Sequence, residues 1–88
     1  MFSARISSVW DNIVKSEGET FRTKRGIGYS YQVKDGYILI NGDKRRRITK
    51  EHFEKALTIV NPTPAKIQDE KIWGPSYVYG IITDKRIK

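Results

Sequence analysis

The chain has 88 residues, no cysteine, a single histidine and a formal net charge of +7. This composition excludes disulfides, thiolate metal sites and a histidine-rich metal centre within one chain, so we expect neither a metal nor another cofactor. No apolar run approaches the roughly 20 residues of a membrane span, and the first residues lack the apolar stretch of a signal peptide, so residues 1–88 are expected to form one soluble cytoplasmic domain.

The first predicted element is an amphipathic helix over residues 3–16. Its apolar residues recur at three- and four-residue steps, as on one helix face: Phe2, Ile6, Val9, Trp10, Ile13 and Val14. Ser3 can cap its start, and Gly18 can adopt the left-handed conformation that ends a helix. Because its polar face lacks the lysines and arginines of membrane-surface helices, we expect it to pack on a sheet.

An alternation of apolar and polar residues with a period of two begins at Glu19 and predicts β-strands. A turn at residues 24–26 interrupts it, and the residues expected to face inward are Phe21, Thr23, Ile27, Tyr29, Tyr31 and Val33. The pair Asp35 and Gly36 is a strong two-residue hairpin signal. Pairing across that turn puts Val33 opposite Ile38 and Tyr31 opposite Ile40 on the core face.

A second turn signal, Asn41 and Gly42, precedes a short strand at residues 44–48. The whole region therefore predicts an antiparallel meander of three or four strands with one buried face. Two or three short helices are expected to follow, so the predicted fold class is α+β.

Thr49 can cap the first of these helices, and the run at residues 61–64 ends it because it contains two prolines. The expected inner stripe is Phe53, Ala56, Leu57 and Val60. A second helix is expected over residues 63–72. Residues 76–83 fit a last helix by spacing, although their β-branched and aromatic residues also suit a strand.

Catalysis has little support in this sequence. His52 lies beside Glu51 in a first helical turn, where adjacent side chains point about 100° apart and cannot act as an acid–base couple. The neighbouring acids Asp69 and Glu70 are expected to be solvated, and so short a chain has little material for the walls of a cleft. We therefore assign no catalytic residue and expect that the protein is not an enzyme.

The positive charge is concentrated in one part of the chain. Residues 22–50 contain nine lysines and arginines against two acids, whereas the rest of the chain contains eight of each sign. The nine cations are Arg22, Lys24, Arg25, Lys34, Lys44, Arg45, Arg46, Arg47 and Lys50. Segregated charge of this kind favours an anionic partner, provided that acids of the helices do not neutralise it.

The outer face of the meander is expected to combine these cations with apolar side chains. It is predicted to carry Arg22, Ser30, Gln32, Tyr37, Leu39, Arg45 and Arg47. Arginine binds phosphate in a bidentate manner, and an exposed tyrosine can stack on an unpaired base. We therefore predict a surface that binds DNA or RNA, with no small-molecule substrate. Its predicted residues are Arg22, Lys24, Arg25, Tyr37, Lys44, Arg45, Arg46, Arg47 and Lys50.

Alternatives to this surface remain open. The cations at residues 44–47 are also typical of a solvated edge strand that blocks aggregation, and the last helix could cover the outer face. The helices at residues 50–60 and 64–72 could form a helix-turn-helix, although the acids of the second would repel phosphates. The basic sheet could also dock on an acidic protein or nucleoprotein, as a small regulator or inhibitor of the kind that phages and mobile elements use.

Two segments of the chain carry a resemblance. Residues 48–57, ITKEHFEKAL, and residues 74–87, GPSYVYGIITDKRI, are similar to segments of short uncharacterised bacterial and phage proteins. The similarity covers most of residues 20–87. It implies a bacterial or phage origin, carries no activity and transfers no site residue.

Overall fold

The chain folds in the order helix, antiparallel strands, helices. A computed structural model describes the backbone of residues 2–87 and the side chains of residues 6–42 and 47–87. The elements are α1 (Phe2–Lys15), β1 (Phe21–Arg22), β2 (Gly28–Tyr29), β3 (Tyr31–Lys34), β4 (Tyr37–Ile40), β5 (Asp43–Thr49), α2 (Lys50–Leu57), α3 (Pro64–Asp69) and α4 (Pro75–Ile82). The predicted α+β class is confirmed, and the last segment is a helix. None of the described helices is both long and apolar enough to cross a membrane.

The described strands form two antiparallel sheets and not one continuous meander. β1 pairs with β2, while β3, β4 and β5 form a second sheet, with Ser30 between the two. The tyrosines on either side of Ser30 are anchored on different helices. The hydroxyl of Tyr29 donates to the carbonyl of Tyr77 in α4, and that of Tyr31 donates to the carbonyl of Ile13 in α1, each at 2.6 Å. Each sheet is therefore tied to its own helix.

The three-stranded sheet has the predicted register. Across the first hairpin turn, Tyr31 pairs with Ile40 and Val33 pairs with Ile38. Of these four residues only Val33 is half-buried, and the others are fully buried. Ile48 of β5 pairs with Ile38 and is also fully buried. Because successive side chains on a strand point to opposite faces, the intervening residues form the outer face of this sheet.

Three apolar residues that were expected to face the core are exposed instead: Val14 (44%), Ile27 (62%) and Val60 (78%). Val14 lies at the edge of the apolar stripe of α1. Helix α2 ends at Leu57, so helical spacing no longer applies at Val60. Ile27 belongs to the turn between β1 and β2, where its carbonyl accepts from the N–H of Thr23 at 2.9 Å, so the two-residue period does not continue through it.

Thr49 caps α2 as predicted, and His52 completes the cap. The hydroxyl of Thr49 accepts from the N–H of His52 at 3.2 Å, while Nδ1 of His52 accepts from the N–H of Thr49 at 3.1 Å. This reciprocal pair satisfies two backbone donors at the helix start. His52 therefore has a structural role with Thr49 at the start of α2.

Helix α4 lies close to β1 because residue 80 is a glycine. A Cβ at Gly80 would lie 2.5 Å from the hydroxyl oxygen of Tyr29 and also against the carbonyl oxygen of Arg22. The residues after α4 fold back onto α1. Ile87 is fully buried, and its carbonyl accepts from Nδ2 of Asn12 at 2.9 Å. The C-terminal segment is thus held against α1.

Candidate nucleic-acid interface

The three-stranded sheet presents a row of polar and cationic residues on the side opposite the core, which we call the outer sheet face. Strand pairing places Lys34 beside Tyr37 and Tyr37 beside Thr49, and it places Gln32 beside Leu39. Paired residues share one face of a sheet. The described members of the outer sheet face are Gln32, Lys34, Tyr37, Leu39, Arg47 and Thr49.

Tyr37 lies between cations from both neighbouring strands. The guanidinium carbon of Arg47 on β5 lies 5.0 Å from the centroid of the Tyr37 ring, and Lys34 is its direct partner on β3. Lys34 and Arg47 are exposed, whereas Tyr37 is half-buried. A cation held over a tyrosine ring is positioned by the ring and keeps its charge available to solvent. The strands therefore assemble an aromatic side chain with a positive charge on either side.

Lys34 is the cation of this face that the predicted binding set omits. The signal was present in the sequence, because the predicted pairing of Val33 with Ile38 also pairs Lys34 with Tyr37. A lysine beside a hairpin turn is commonly a solvated end residue, so its residue type alone does not indicate a binding role. The observed register adds it to the outer sheet face.

The predicted residues Lys44, Arg45 and Arg46 lie on β5. Their side chains fall outside the described residues, so their share in binding stays a prediction. Lys50, also predicted, is half-buried as the first residue of α2, and its N–H donates to the carbonyl of Gly36 at 3.0 Å. This bond places it at the same end of the sheet as the turn beside Lys34 and Tyr37.

A second group of predicted cations lies at the turn between β1 and β2. The N–H of Gly26 donates to the carbonyl of Thr23 at 2.9 Å and closes this turn, and the guanidinium of Arg22 donates to the carbonyl of Gly26 at 3.0 Å. Lys24 and Arg25 at its tip are exposed and line a cleft of about 960 Å³. The expectation that so short a chain would have little material for a cleft is therefore wrong.

The described cations of residues 22–50 are not neutralised by the acids of the helices. Among the described side chains, every ion pair involves Lys55 or Arg86, which lie outside that range. Arg86 bonds to Asp84 and Glu19 at 2.9 Å each and lies 4.0 Å above the ring of Phe21. The hydrogen bond from Arg86 lowers the pKa of Asp84 below its usual value. The described ion pairs thus lie outside residues 22–50, in the part of the chain whose net charge is zero.

The packing of the helices bears on two of the alternatives: a last helix that covers the outer sheet face, and a helix-turn-helix formed by α2 and α3. Helix α4 packs on β1, α2 and α3, and Tyr37 and Leu39 remain partly exposed on the outer sheet face. Helix α3 has only six residues and has its main contacts with α4, whereas α2 has its main contacts with α1, α4 and β5. In addition, Nζ of Lys66 donates to the carbonyls of Val60 and Asn61 at 3.2 Å, so this lysine of α3 is engaged within the protein.

In the part of the chain whose side chains are described, no three acidic or histidine side chains lie together in a way that could hold a metal ion. Comparisons with protein-family models, with curated proteins and with solved structures find no match. The resemblance of residues 48–57 and 74–87 to bacterial and phage proteins stays a prediction. Function must therefore be argued from the surface itself.

Proposed function

We propose that the chain is a non-enzymatic cytoplasmic module that binds DNA or RNA through its outer sheet face, mainly by contacts to phosphate. The observation that carries this proposal is the placement of Tyr37 between Lys34 and Arg47, two exposed cations without a carboxylate partner among the described residues. The surplus of positive charge in residues 22–50 supports it.

Each member of the site has a physical role in this proposal. Arg47 offers a planar guanidinium that matches two phosphate oxygens, and its position over Tyr37 reduces the freedom that it would lose on binding. Lys34 supplies a compact charge on the other side of the ring. Tyr37 can stack on a base, which requires no particular sequence because every base has an aromatic face. Lys44, Arg45, Arg46 and Lys50 extend the same contacts.

Salt dependence measures the number of phosphates bound. If four to six phosphates are neutralised, the logarithm of the affinity should fall with the logarithm of the salt concentration at a slope of roughly −3 to −5. Fluorescence anisotropy of a labelled oligonucleotide over a sodium chloride series gives this slope. A slope near zero contradicts the proposal, because contacts to phosphate cannot then dominate.

Charge reversal on the outer sheet face provides the test by mutation. The double variant Lys34→Glu/Arg47→Glu should lower the affinity by about tenfold or more and reduce the magnitude of the slope by about two. The matched control is Lys15→Glu/Lys85→Glu, which makes the same change of net charge at exposed lysines on α1 and in the C-terminal segment. Equal losses in the two variants would show that net charge matters and the outer sheet face does not.

The same cations could meet an acidic protein, so the test includes that outcome. Retention of a protein from a nuclease-treated lysate, together with no binding of any oligonucleotide, would replace the proposed function with docking on an acidic protein surface. Loss of all retained material after nuclease treatment supports binding to nucleic acid.

A further inference from the structure

The cleft at the turn between β1 and β2 is built from parts of the chain that are far apart in sequence. The turn supplies one wall with Lys24, Arg25 and Ile27. The other wall comes from α3, the segment between α3 and α4, which contains Trp73, and the start of α4, which contains Tyr77. Its volume of about 960 Å³ lies at the upper end of the roughly 300–1,000 Å³ that is typical of ligand clefts. This cleft is a feature separate from the outer sheet face.

The walls of the cleft offer apolar and aromatic surface to an occupant. Ile27 is 62% exposed there, and Trp73 is half-buried. The Trp73 ring lies 6.1 Å from that of Tyr77, which in turn makes an edge contact with Tyr29 at 5.0 Å. This series of ring contacts connects Trp73 to Tyr29 of the core. A flat apolar group that enters the cleft therefore meets aromatic surface that packs against the core.

The charge of the cleft selects the kind of occupant. Among the described residues that line it, the charged ones are Lys24 and Arg25, and both are cations. Both are exposed, and neither makes an ion pair with a described acid. The complementary molecule combines a flat, largely apolar part with an adjacent negative charge. An unpaired nucleotide has this chemistry, with its base for the aromatic wall and its phosphate for the two cations.

We propose that this cleft receives an unpaired base of single-stranded nucleic acid, while Lys24 and Arg25 contact the adjoining phosphate. The inference rests on the proposed function and adds to it a preference for single strands over duplexes. In a duplex the bases are paired and stacked, and extruding one of them costs free energy that a single strand does not have to supply. The phosphate contacts of the outer sheet face make no such distinction, because phosphates are exposed in both forms.

Trp73 itself reports on occupation of the cleft. The chain has two tryptophans, and the variant Trp10→Phe leaves Trp73 as the only one. Trp10 packs at 6.1 Å from the ring of Phe53, a contact that phenylalanine can retain. Oligothymidine of roughly 10 nucleotides should quench the fluorescence of Trp73, whereas a duplex of the same length should bind without quenching it. Circular dichroism verifies that the variant is folded.

Affinity measured by anisotropy provides the second readout. Trp73→Ala should weaken binding of oligothymidine roughly 5- to 150-fold, the range expected for loss of one stacked base, and should leave duplex binding unchanged. Ile27→Ser tests the same cleft at an exposed residue, so that folding is preserved. Its matched control is Val60→Ser, which removes an apolar side chain that is also exposed and lies outside the cleft.

The outcomes separate this inference from the proposed function. Quenching by the single strand, with weaker single-strand binding in the Ile27→Ser variant and not in the Val60→Ser variant, supports occupation of the cleft. Equal binding of both forms with unchanged Trp73 fluorescence overturns the inference and leaves phosphate binding by the outer sheet face intact. The absence of binding to either form overturns both.

Discussion

Substitution of Gly80 by alanine tests the packing of α4 on β1. In an exposed helix this change is favourable by roughly 0.5–1 kcal/mol, because glycine loses more conformational freedom than alanine on folding. Here the added methyl group would lie 2.5 Å from the hydroxyl oxygen of Tyr29 and against the carbonyl oxygen of Arg22. The carbonyl belongs to the backbone of β1 and cannot rotate away, so the helix itself must move.

The expected cost follows from these contacts. Overpacking typically destabilises a protein by about 1–3 kcal/mol, and displacement of α4 also weakens the hydrogen bond from Tyr29 to Tyr77, which contributes about 1 kcal/mol. After allowance for the gain in helix propensity, Gly80→Ala should lower the free energy of unfolding by about 1–3 kcal/mol. For a domain of this size that corresponds to a decrease in Tm of roughly 5–20 °C.

Urea and thermal unfolding followed by circular dichroism provide the measurement. Gly28→Ala is the matched control, because a Cβ at Gly28 would meet Cγ2 of Thr20 at 3.5 Å, an ordinary contact, and its effect should stay within about 0.5 kcal/mol. A Gly80→Ala variant as stable as the unmodified chain, or more stable, would refute the close approach of α4 to β1.

Two further predictions concern stability. Burial raises the pKa of Tyr29 and of Tyr31 above the ordinary tyrosine value of about 10, so the folded state holds these protons more tightly than the unfolded state. The contribution of these two tyrosines to stability is complete below about pH 10 and is lost as the pH rises through their folded-state pKa. The free energy of unfolding should therefore fall in alkali, and it should fall less steeply in the Tyr31→Phe variant. A free energy of unfolding that does not change with pH in alkali contradicts this prediction. Thr49→Ala removes the hydroxyl that accepts from His52 and should cost about 1 kcal/mol in thermal unfolding, and an unchanged Tm would show that the cap contributes nothing.

Local patterns in the sequence predicted the helices and the first hairpin, because residues that are close in the chain determine these elements. The first hairpin register follows from a two-residue turn at Asp35 and Gly36, because that turn leaves one pairing that buries Tyr31 and Ile40 together. The same register also places Lys34 beside Tyr37, although the predicted binding set does not include Lys34. Exposure of Ile27 was missed because a two-residue period was continued through a turn whose backbone hydrogen bonds interrupt it.

The cleft could not be predicted from local patterns. Its two walls are separated by about 50 residues and meet only because α4 packs on β1. The local sign of that approach is Gly80, a glycine inside a largely apolar helix, because a residue without a side chain permits a close contact with another backbone. Contacts of this kind depend on the whole fold, and the same holds for the placement of Trp73 opposite Lys24.

The two surfaces would make different contributions to binding. On the outer sheet face, Lys34 and Arg47 would provide charge, and charge contacts respond to salt without distinguishing sequence. In the cleft, Trp73 would provide stacking, which requires an unpaired base and accepts any of the four. Because neither contact reads the hydrogen-bonding edge of a base, strandedness and ionic strength should govern occupancy of the protein more than base sequence does. Affinities that varied strongly among single strands of equal length but different sequence would contradict this division between the two surfaces.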